Sequence, residues 1–170
     1  MPFGALRDGL NHYLSLIERQ PAERRSQAEE KIRQAVGDSA PLLKLFTPRL
    51  AQLIGETKSI PLAEAGEQFF TAVVDFFVKL AKAESGMLLF IDDIQWLDES
   101  SRKVFKCLVS RMSKPGDCHV MVYAAARNDP DSLLALRTFL EDVNKALREK
   151  LTAAQAAFDR HDAAHRGVRK

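Results

Sequence analysis

Apolar residues recur every three or four positions through most of the first half of the chain, a spacing that predicts amphipathic helices. The first helix is expected over residues 3–19. Its repeating apolar positions are Phe3, Leu6, Leu10, Leu14 and Ile17. A highly charged second helix is expected over Ala22–Val36, on the surface of the domain, and it should end at Gly37.

Two proline-marked helical stretches follow. The first begins at Asp38 or Ser39, is interrupted by Pro48 and resumes until Gly55. Pro61 opens the helix with the broadest apolar stripe of the chain. That stripe consists of Leu62, Ala65, Phe69, Phe70, Val73, Val74, Phe77 and Leu80. We therefore expect its aromatic residues in the core rather than at a cofactor.

The pattern changes after Gly86, because Met87–Ile91 is a continuous apolar run. Such a run is typical of a strand that is covered on both faces. A second strand is predicted over residues 119–126, because that segment contains β-branched and aromatic residues. An amphipathic helix is expected between the strands, after Asp98, and a long one from Pro130 onward.

The order helix, strand, helix, strand, helix favours parallel strands joined by helical crossovers. Two strands make a poor core by themselves. Either the helices do most of the packing, or the sheet is incomplete within these residues. We therefore predict an α/β fold, with an incomplete parallel sheet of two clear strands and a predominantly helical remainder.

The composition is that of a globular protein. With 170 residues, 46% of them hydrophobic and 28% charged, the chain is long enough for one domain with its own core. The net charge of +2 does not indicate a nucleic-acid-binding protein. From Val143 to Lys170, however, seven Lys or Arg residues stand against three Asp or Glu. This surplus indicates a solvated basic tail, with a polyanion contact as the rarer alternative.

Cysteine content and hydropathy bear on the cellular location of the protein. Cys107 and Cys118 have no metal-binding spacing and are expected to be free, buried thiols. No apolar stretch approaches the ~18 residues that a membrane span needs. The first residues also lack the basic-then-apolar layout of a signal peptide. We therefore expect no membrane contact and a cytoplasmic location.

The Met87–Ile91 strand runs directly into two adjacent carboxylates, Asp92 and Asp93. In parallel sheets, ligands bind beyond the carboxyl ends of the strands. This is where nucleotide hydrolases of the P-loop class hold Mg²⁺ and orient water. Taken alone, the pattern is equally consistent with a core strand that leaves into a solvated turn. The segment that follows, Ile94–Asp98, favours the functional interpretation.

Residues Met87–Asp93, together with Ile94–Asp98, Ser100 and Ser101, resemble the Walker B region of STAND-class AAA-type ATPase modules. These modules occur in bacterial multidomain signalling proteins such as Ser/Thr and histidine kinases. Their Walker B region typically reads as an apolar strand, Asp-Asp, an apolar residue, Gln, Trp and, shortly afterwards, an acidic residue. Each of these features is present.

Two further stretches are similar to the same family. Val120–Asp129 resembles its next core strand, which ends in an Arg-Asp or Arg-Asn pair that senses phosphate. Pro2–Leu6 resembles the opening of its helical segment. The resemblance implies a partial ATPase-like domain over residues 2–140 and a helical basic tail over 141–170. Within the domain it implies a helical segment (2–83), a Walker B strand (87–92) and a sensor strand (119–126).

The resemblance also implies ATP and Mg²⁺ as cofactors, and roles for individual residues. Asp92 would coordinate Mg²⁺ through water, and Asp93 would take the position of the carboxylate that polarises the attacking water. Arg127 would sense the γ-phosphate. Trp96 would pack beneath the site, with Gln95 near it as a further nucleotide-binding residue.

The phosphate-binding loop of that family, Gly-x-x-x-x-Gly-Lys-Ser/Thr, is not found in the 170 residues. The segment Gly55–Ser59 imitates only the end of the motif, because Gln52 and Thr57 stand where its two glycines belong. In such a loop, backbone N–H groups and the lysine hold the phosphates. We therefore expect these residues alone to bind ATP weakly and to hydrolyse little or none.

A second hypothesis is a non-catalytic helical interaction module. Its support is a leucine seam that could pair with another helix, as in a coiled coil, over about two heptads. The seam consists of Leu133, Leu136, Leu140, Val143 and Leu147. The expected partners are other domains or chains of a signalling protein, whether an oligomer forms is left open, and no nucleic acid is expected.

His161 and His165 have the spacing of the zinc-protease pattern His-Glu-x-x-His. Asp162 replaces the glutamate, however, and the last five residues offer no third ligand. A solvated helix end is the favoured interpretation. His12 and His119 have no evident partners in the sequence and are expected to be structural or surface residues.

Overall fold

The computed structural model describes residues 3–57, 62–112 and 120–167, and from residue 153 onward it describes only the backbone. The first helices are α1 (Gly4–Glu18), α2 (Ala22–Val36), α3 (Ala40–Leu43), α4 (Pro48–Ile54) and α5 (Leu62–Ala83). They are followed by β1 (Met87–Ile91), α6 (Glu99–Met112), β2 (Val120–Ala124) and α7 (Pro130–Gly167). β1 and β2 pair in parallel, which confirms the predicted α/β fold with a mostly helical remainder.

Both strands are shorter than predicted. β1 ends at Ile91, so Asp92 lies in the bend after the strand, and β2 ends at Ala124 rather than at residue 126. Both strands end where the backbone of Ala125 forms hydrogen bonds with two different residues, Ile91 and Ile94. Its N–H donates to the carbonyl of Ile91 at 2.8 Å, while its carbonyl accepts from the N–H of Ile94 at 2.9 Å. These two hydrogen bonds close the ladder and turn both chains away from the sheet.

The predicted interruption at Pro48 is confirmed, because α3 ends at Leu43 and α4 begins at Pro48. Thr47 caps the new helix: its Oγ1 accepts the N–H of Leu50 at 3.0 Å, and its side chain is buried. Pro48 occupies the first helical turn, where a missing N–H leaves no hydrogen bond unmade.

The core is built around contacts between phenylalanine rings, three edge-to-face and one tilted. The centroids of Phe3, Phe46, Phe69 and Phe77 lie between 5.5 and 6.4 Å apart in their four contacts. These rings come from α5, from the start of α1 and from the turn after α3. The prediction that the aromatic residues of α5 belong to the core is confirmed for Phe69 and Phe77, which are buried.

The two faces of the sheet have different surroundings. One face turns Leu89, Ile91, Val122 and Ala124 toward the hydrophobic core. The other face, called the open sheet face below, carries Leu88, Phe90, Met121 and Tyr123, each between 60% and 65% exposed. The expectation that the first strand is covered on both faces is therefore wrong, because no helix of the described chain packs on this side.

The long final helix was predicted, and its first half packs against α6. Phe139 and Val143 are buried, and Leu136 and Leu147 are packed against the core. Leu133 and Leu140 are exposed. The predicted leucine seam is thus divided between the core and the surface.

The expectations for the cysteines and histidines can be compared with the structure only where it describes these residues. Cys107 is a half-buried free thiol, and burial raises its pKa. Cys118, His119 and the side chains of His161 and His165 lie outside the described residues. None of the described helices has both the length and the hydropathy to cross a membrane.

Candidate functional site

The carboxyl ends of β1 and β2 bring together Asp93 and Arg127, which are 34 positions apart in the chain. The guanidinium donates from Nε to Oδ1 of Asp93 at 3.0 Å and from Nη2 to Oδ2 at 3.2 Å. This two-point contact matches the planar guanidinium to the planar carboxylate. Both residues follow their strands, so the parallel register of the sheet sets their proximity.

Asp93 has a left-handed backbone, with φ 51° and ψ 55°. This conformation is uncommon for a residue with a side chain, although Asp adopts it more readily than most. Asp92 supports it, because its Oδ1 accepts the N–H of Asp93 at 3.0 Å. Sparsely populated backbone conformations persist where the surroundings hold them, and they are frequent in functional sites.

Gln95 binds the same carboxylate as Arg127. Its Nε2 donates to Oδ1 of Asp93 at 2.8 Å. Its Oε1 is buried and has no hydrogen-bond partner among the described residues. The amide is therefore oriented by Asp93, and Oδ1 of Asp93 accepts from two donors at once.

The contact with Arg127, and secondly the hydrogen bond from Gln95, hold the pKa of Asp93 below its ordinary value. Asp93 in turn raises the pKa of Arg127. The pair is therefore fully ionised at neutral pH. Both oxygens of Asp93 thus accept at least one hydrogen bond, and its side chain stays partly exposed to water.

Trp96 does not pack beneath the site, so that expectation was wrong. Its side chain is 75% exposed, while Ile94 in the same short turn is buried. Ile94, Gln95 and Trp96 form a single 3₁₀ turn. A turn of three residues directs its side chains to three different sides, and here Ile94 takes the one that faces the core.

Asp98 is a residue of this region to which sequence reasoning assigned no role. Its carboxylate accepts the backbone N–H groups of Phe3 and Gly4 at 3.0 and 3.1 Å. It also accepts the N–H and the Oγ–H of Ser101, at 2.9 and 2.6 Å. Asp directly before the first helical residue is an N-cap signal for α6. No local signal points to α1, which lies more than ninety positions earlier.

One carboxylate thus holds the starts of two helices, α1 and α6. Burial by itself would raise the pKa of Asp98. The hydrogen bonds from Ser101, Phe3 and Gly4 outweigh that effect and hold the pKa below its ordinary value. Asp98 therefore ties the turn that carries Asp93 and Gln95 to the first helix.

At these strand ends, the described residues offer a carboxylate for Mg²⁺ but no cluster that encloses a metal ion. Mg²⁺ in phosphate-transfer sites uses one or two carboxylates, water and the phosphates themselves. The exposed Asp92 fits this role as a water-bridged ligand. The described residues include no cluster of three or more His, Cys, Asp or Glu that could enclose a metal ion. Gly55–Ser59, the imitation of a phosphate loop, extends beyond the described residues at Lys58.

In α/β folds, ligands bind beyond the carboxyl ends of parallel strands, and this is where Asp92, Asp93 and Arg127 lie. A family model described as "AAA ATPase domain" matches residues 2–123. The chain therefore belongs to the AAA ATPase domain family, whose members generally use ATP and Mg²⁺. The match includes Asp92, Asp93 and Gln95 and ends before Arg127. Searches of curated proteins and of solved structures found no match.

Proposed function

We propose that these residues are the Walker B and sensor part of a P-loop ATPase-like module in a bacterial signal-transduction protein. The observation that carries this proposal is the two-point contact between Asp93 and Arg127 at the ends of two parallel strands. Membership of the AAA ATPase domain family supports the ATPase-like character. The sequence Asp92–Trp96 supports the STAND class and a kinase-type parent protein.

Each polar residue then has a distinct role. Asp92 would hold Mg²⁺ through water, and the ion would neutralise phosphate charge. A γ-phosphate would compete with Asp93 for Arg127, because guanidinium binds phosphate in the same two-point geometry. Release from Arg127 would free Asp93 to orient water, with Gln95 still holding its Oδ1 side. The contact between Asp93 and Arg127 would thus be the resting state of the site, before a nucleotide binds.

Hydrolysis by these residues alone should be little or none. Phosphoryl transfer depends on positioning and charge stabilisation, and most of both comes from the phosphate-binding loop. The 170 residues do not contain that motif. The loop would have to come from elsewhere, and other domains or chains of a signalling protein are the proposed source.

The test combines NMR titration of the 170-residue chain with Mg²⁺-ATP at millimolar concentration and a phosphate-release assay. We expect chemical-shift changes at Asp92 and Arg127, a weaker response in Asp92→Asn, and no phosphate release above background. Asp131→Asn is the matched control, because it removes the same charge from an exposed residue of α7.

Two outcomes would contradict the proposal. If millimolar Mg²⁺-ATP leaves Asp92 and Arg127 unperturbed, these strand ends are not a nucleotide site. If phosphate is released and Asp93→Asn abolishes the release, the chain is a competent ATPase and the expectation of inactivity is wrong.

A second candidate is the helical interaction module. It is favoured by the exposure of Leu133 and Leu140, 44% and 49%, one heptad apart on α7. If α7 pairs with another α7, the mass in sedimentation equilibrium should rise with concentration, and Leu140→Lys should abolish the rise. A constant monomer mass would exclude this form of the module.

A further inference from the structure

The first helix begins without a cap of its own. Phe3 stands at its N-cap position, with a left-handed backbone of φ 63° and ψ 28°, and its side chain makes no capping hydrogen bond. The first turn of α1 contains no acidic residue either. The first N–H groups of a helix have no partner inside it, so α1 needs an acceptor from elsewhere. Asp98 supplies it, because its two oxygens accept the N–H groups of Phe3 and Gly4 at 3.0 and 3.1 Å.

Asp98 is also the last residue of the short connection that carries Asp93. The sheet fixes the other end of this connection, because the N–H of Ile94 donates to the carbonyl of Ala125 at 2.9 Å. Between these two anchors lie a single 3₁₀ turn and the buried Leu97. Asp98 therefore sets where the connection ends, as the sheet sets where it begins.

The helix that Asp98 binds is itself firmly held. Four of the apolar side chains of α1 are buried, those of Leu6, Leu10, Leu14 and Ile17. Arg49 of α4 donates to the carbonyl of Asn11 at 2.8 Å, and the hydroxyl of Tyr13 donates to Glu84 at 2.9 Å. The connection is thus attached to a helix that the core and two other segments keep in place.

Asp93 depends on such support more than an ordinary residue does. Its left-handed backbone, with φ 51° and ψ 55°, is of a kind that persists only where the surroundings hold it. The side chains of Asp93 and Arg127 are 40% and 61% exposed, so little packing holds the pair together. Their two-point contact depends instead on the backbone position that the connection gives to Asp93.

We propose that Asp98 is a positioning residue for the contact between Asp93 and Arg127. By binding the start of α1, it holds the connection in the position from which the carboxylate of Asp93 meets the guanidinium. It acts through the backbone of residues 93–98. The importance of this contact for nucleotide binding rests on the proposed function, whereas the positioning of Asp93 does not.

A substitution can separate this role from the capping of α6, in which Asp98 binds Ser101. Serine is as good an N-cap as aspartate, so Asp98→Ser retains the cap of α6. Its one hydroxyl oxygen cannot also accept both N–H groups at the start of α1. Asp98→Asn keeps one carbonyl oxygen, and its effect should lie between those of the native residue and serine.

The experiment records the NMR signal of the Arg127 Nε–H in the full 170-residue chain, without nucleotide. This N–H donates to Asp93, so its exchange with water reports the contact directly. In Asp98→Ser we expect the exchange to become faster by about threefold or more. Thr47→Ala is the matched control, because it removes the N-cap of α4 and so lowers stability in a similar way. Its Arg127 exchange should stay nearly unchanged.

Equal exchange rates in the native chain and in Asp98→Ser would overturn the proposal. An equal acceleration in Thr47→Ala would also overturn it, since Asp98 would then only stabilise the fold. If Asp98→Ser does not fold, Asp98→Asn decides: faster exchange than in Thr47→Ala supports the proposal, and an unchanged rate overturns it.

Millimolar Mg²⁺-ATP, added to the native chain, tests the proposed function separately. An Arg127 signal that ATP leaves unperturbed would contradict a nucleotide site at these strand ends. The exchange rates measured without ATP would still decide the role of Asp98.

Discussion

At the scale of single residues, the candidate site depends on one carboxylate with an unusual backbone and three polar neighbours. Asp93 is held by Arg127, by Gln95 and, through its own N–H, by Asp92. These contacts compensate for its left-handed conformation. The pKa of Asp93 is therefore lowered mainly by Arg127, a residue that follows the other strand.

The first prediction concerns the pKa of Asp93. In Arg127→Gln this pKa should rise toward its ordinary value, because the hydrogen bond from Arg127 is the largest cause of its depression. Gln95→Ala should produce a smaller rise, since Gln95 is the second cause. The measurement is a carboxyl-carbon NMR titration. Arg102→Gln is the control, because Arg102 binds the carbonyl of Leu97 instead. If the pKa of Asp93 is unchanged in Arg127→Gln, Arg127 does not bind Asp93 in solution.

The second prediction concerns Asp98. Since a helix cap is worth about 1 kcal/mol, and Asp98 serves α1 and α6, Asp98→Ala should lower the free energy of unfolding at pH 7 by about 2 kcal/mol. Glu99→Ala, at an exposed neighbour, should cost less than about 1 kcal/mol. Urea unfolding measures both.

The same variant has a defined pH dependence. The pKa of Asp98 is lower in the folded state, so its stabilising effect is complete above the unfolded value, near 3.9, and is lost as the pH falls through the folded value. The difference between the native chain and Asp98→Ala should therefore narrow below about pH 4. A difference that widens on acidification would show that the carboxylate form is not the one that is bound.

At the scale of secondary-structure elements, α5 combines the widest apolar stripe with a bend. Gly66 has φ 31° and ψ −125°, outside the helical region. Residues with a Cβ avoid this conformation, so glycine permits the change of direction. After the bend, α5 runs straight and buries Phe69, Val73 and Phe77.

The third prediction compares one substitution in two helices. Gly66→Ala should destabilise the chain by about 1 kcal/mol, because alanine is strained at positive φ. Gly9→Ala should stabilise it by about 0.5–1 kcal/mol, because α1 is regular there and the added methyl meets open space. Thermal unfolding of both variants gives the comparison. Equal signs for the two changes would mean that the bend at Gly66 is absent.

At the scale of the whole molecule, the helices provide the core, and the described residues cover only one face of the sheet. Parallel sheets are normally buried on both faces, whereas the open sheet face exposes four large side chains. Phe90 and Tyr123 stack there, with ring centroids 5.6 Å apart. Contiguous exposed apolar side chains of this kind are uncommon on monomeric proteins.

The fourth prediction follows from that exposure. The double variant Phe90→Ser, Tyr123→Ser should bind much less of the apolar dye ANS than the native chain. Its stability should fall by less than about 1.5 kcal/mol, because only the exposed ring pair is lost. Leu134→Ser is the control, since Leu134 is 62% exposed but lies on α7. ANS binding that persists in the double variant would place the accessible apolar surface elsewhere.

The order and type of the described elements followed from the sequence alone. Helix periodicity, the break at Pro48 and the apolar run Met87–Ile91 are local signals, because each reflects neighbours in the chain. The position of two carboxylates at the end of a strand was also readable, as was a long final helix. These features depend on the backbone and on side-chain spacing, which the sequence determines directly.

Contacts between distant residues were decided only by the tertiary structure. The pairing of Asp93 with Arg127 requires the parallel register of two strands, and the double role of Asp98 requires α1 to lie against the start of α6. The exposure of Trp96 depends on which residue of its 3₁₀ turn is buried in the core. Likewise, only the packing shows that the described residues leave one face of the sheet and the outer edge of β1 uncovered. Local spacing carries no information about such distances, because they arise from how the elements pack together.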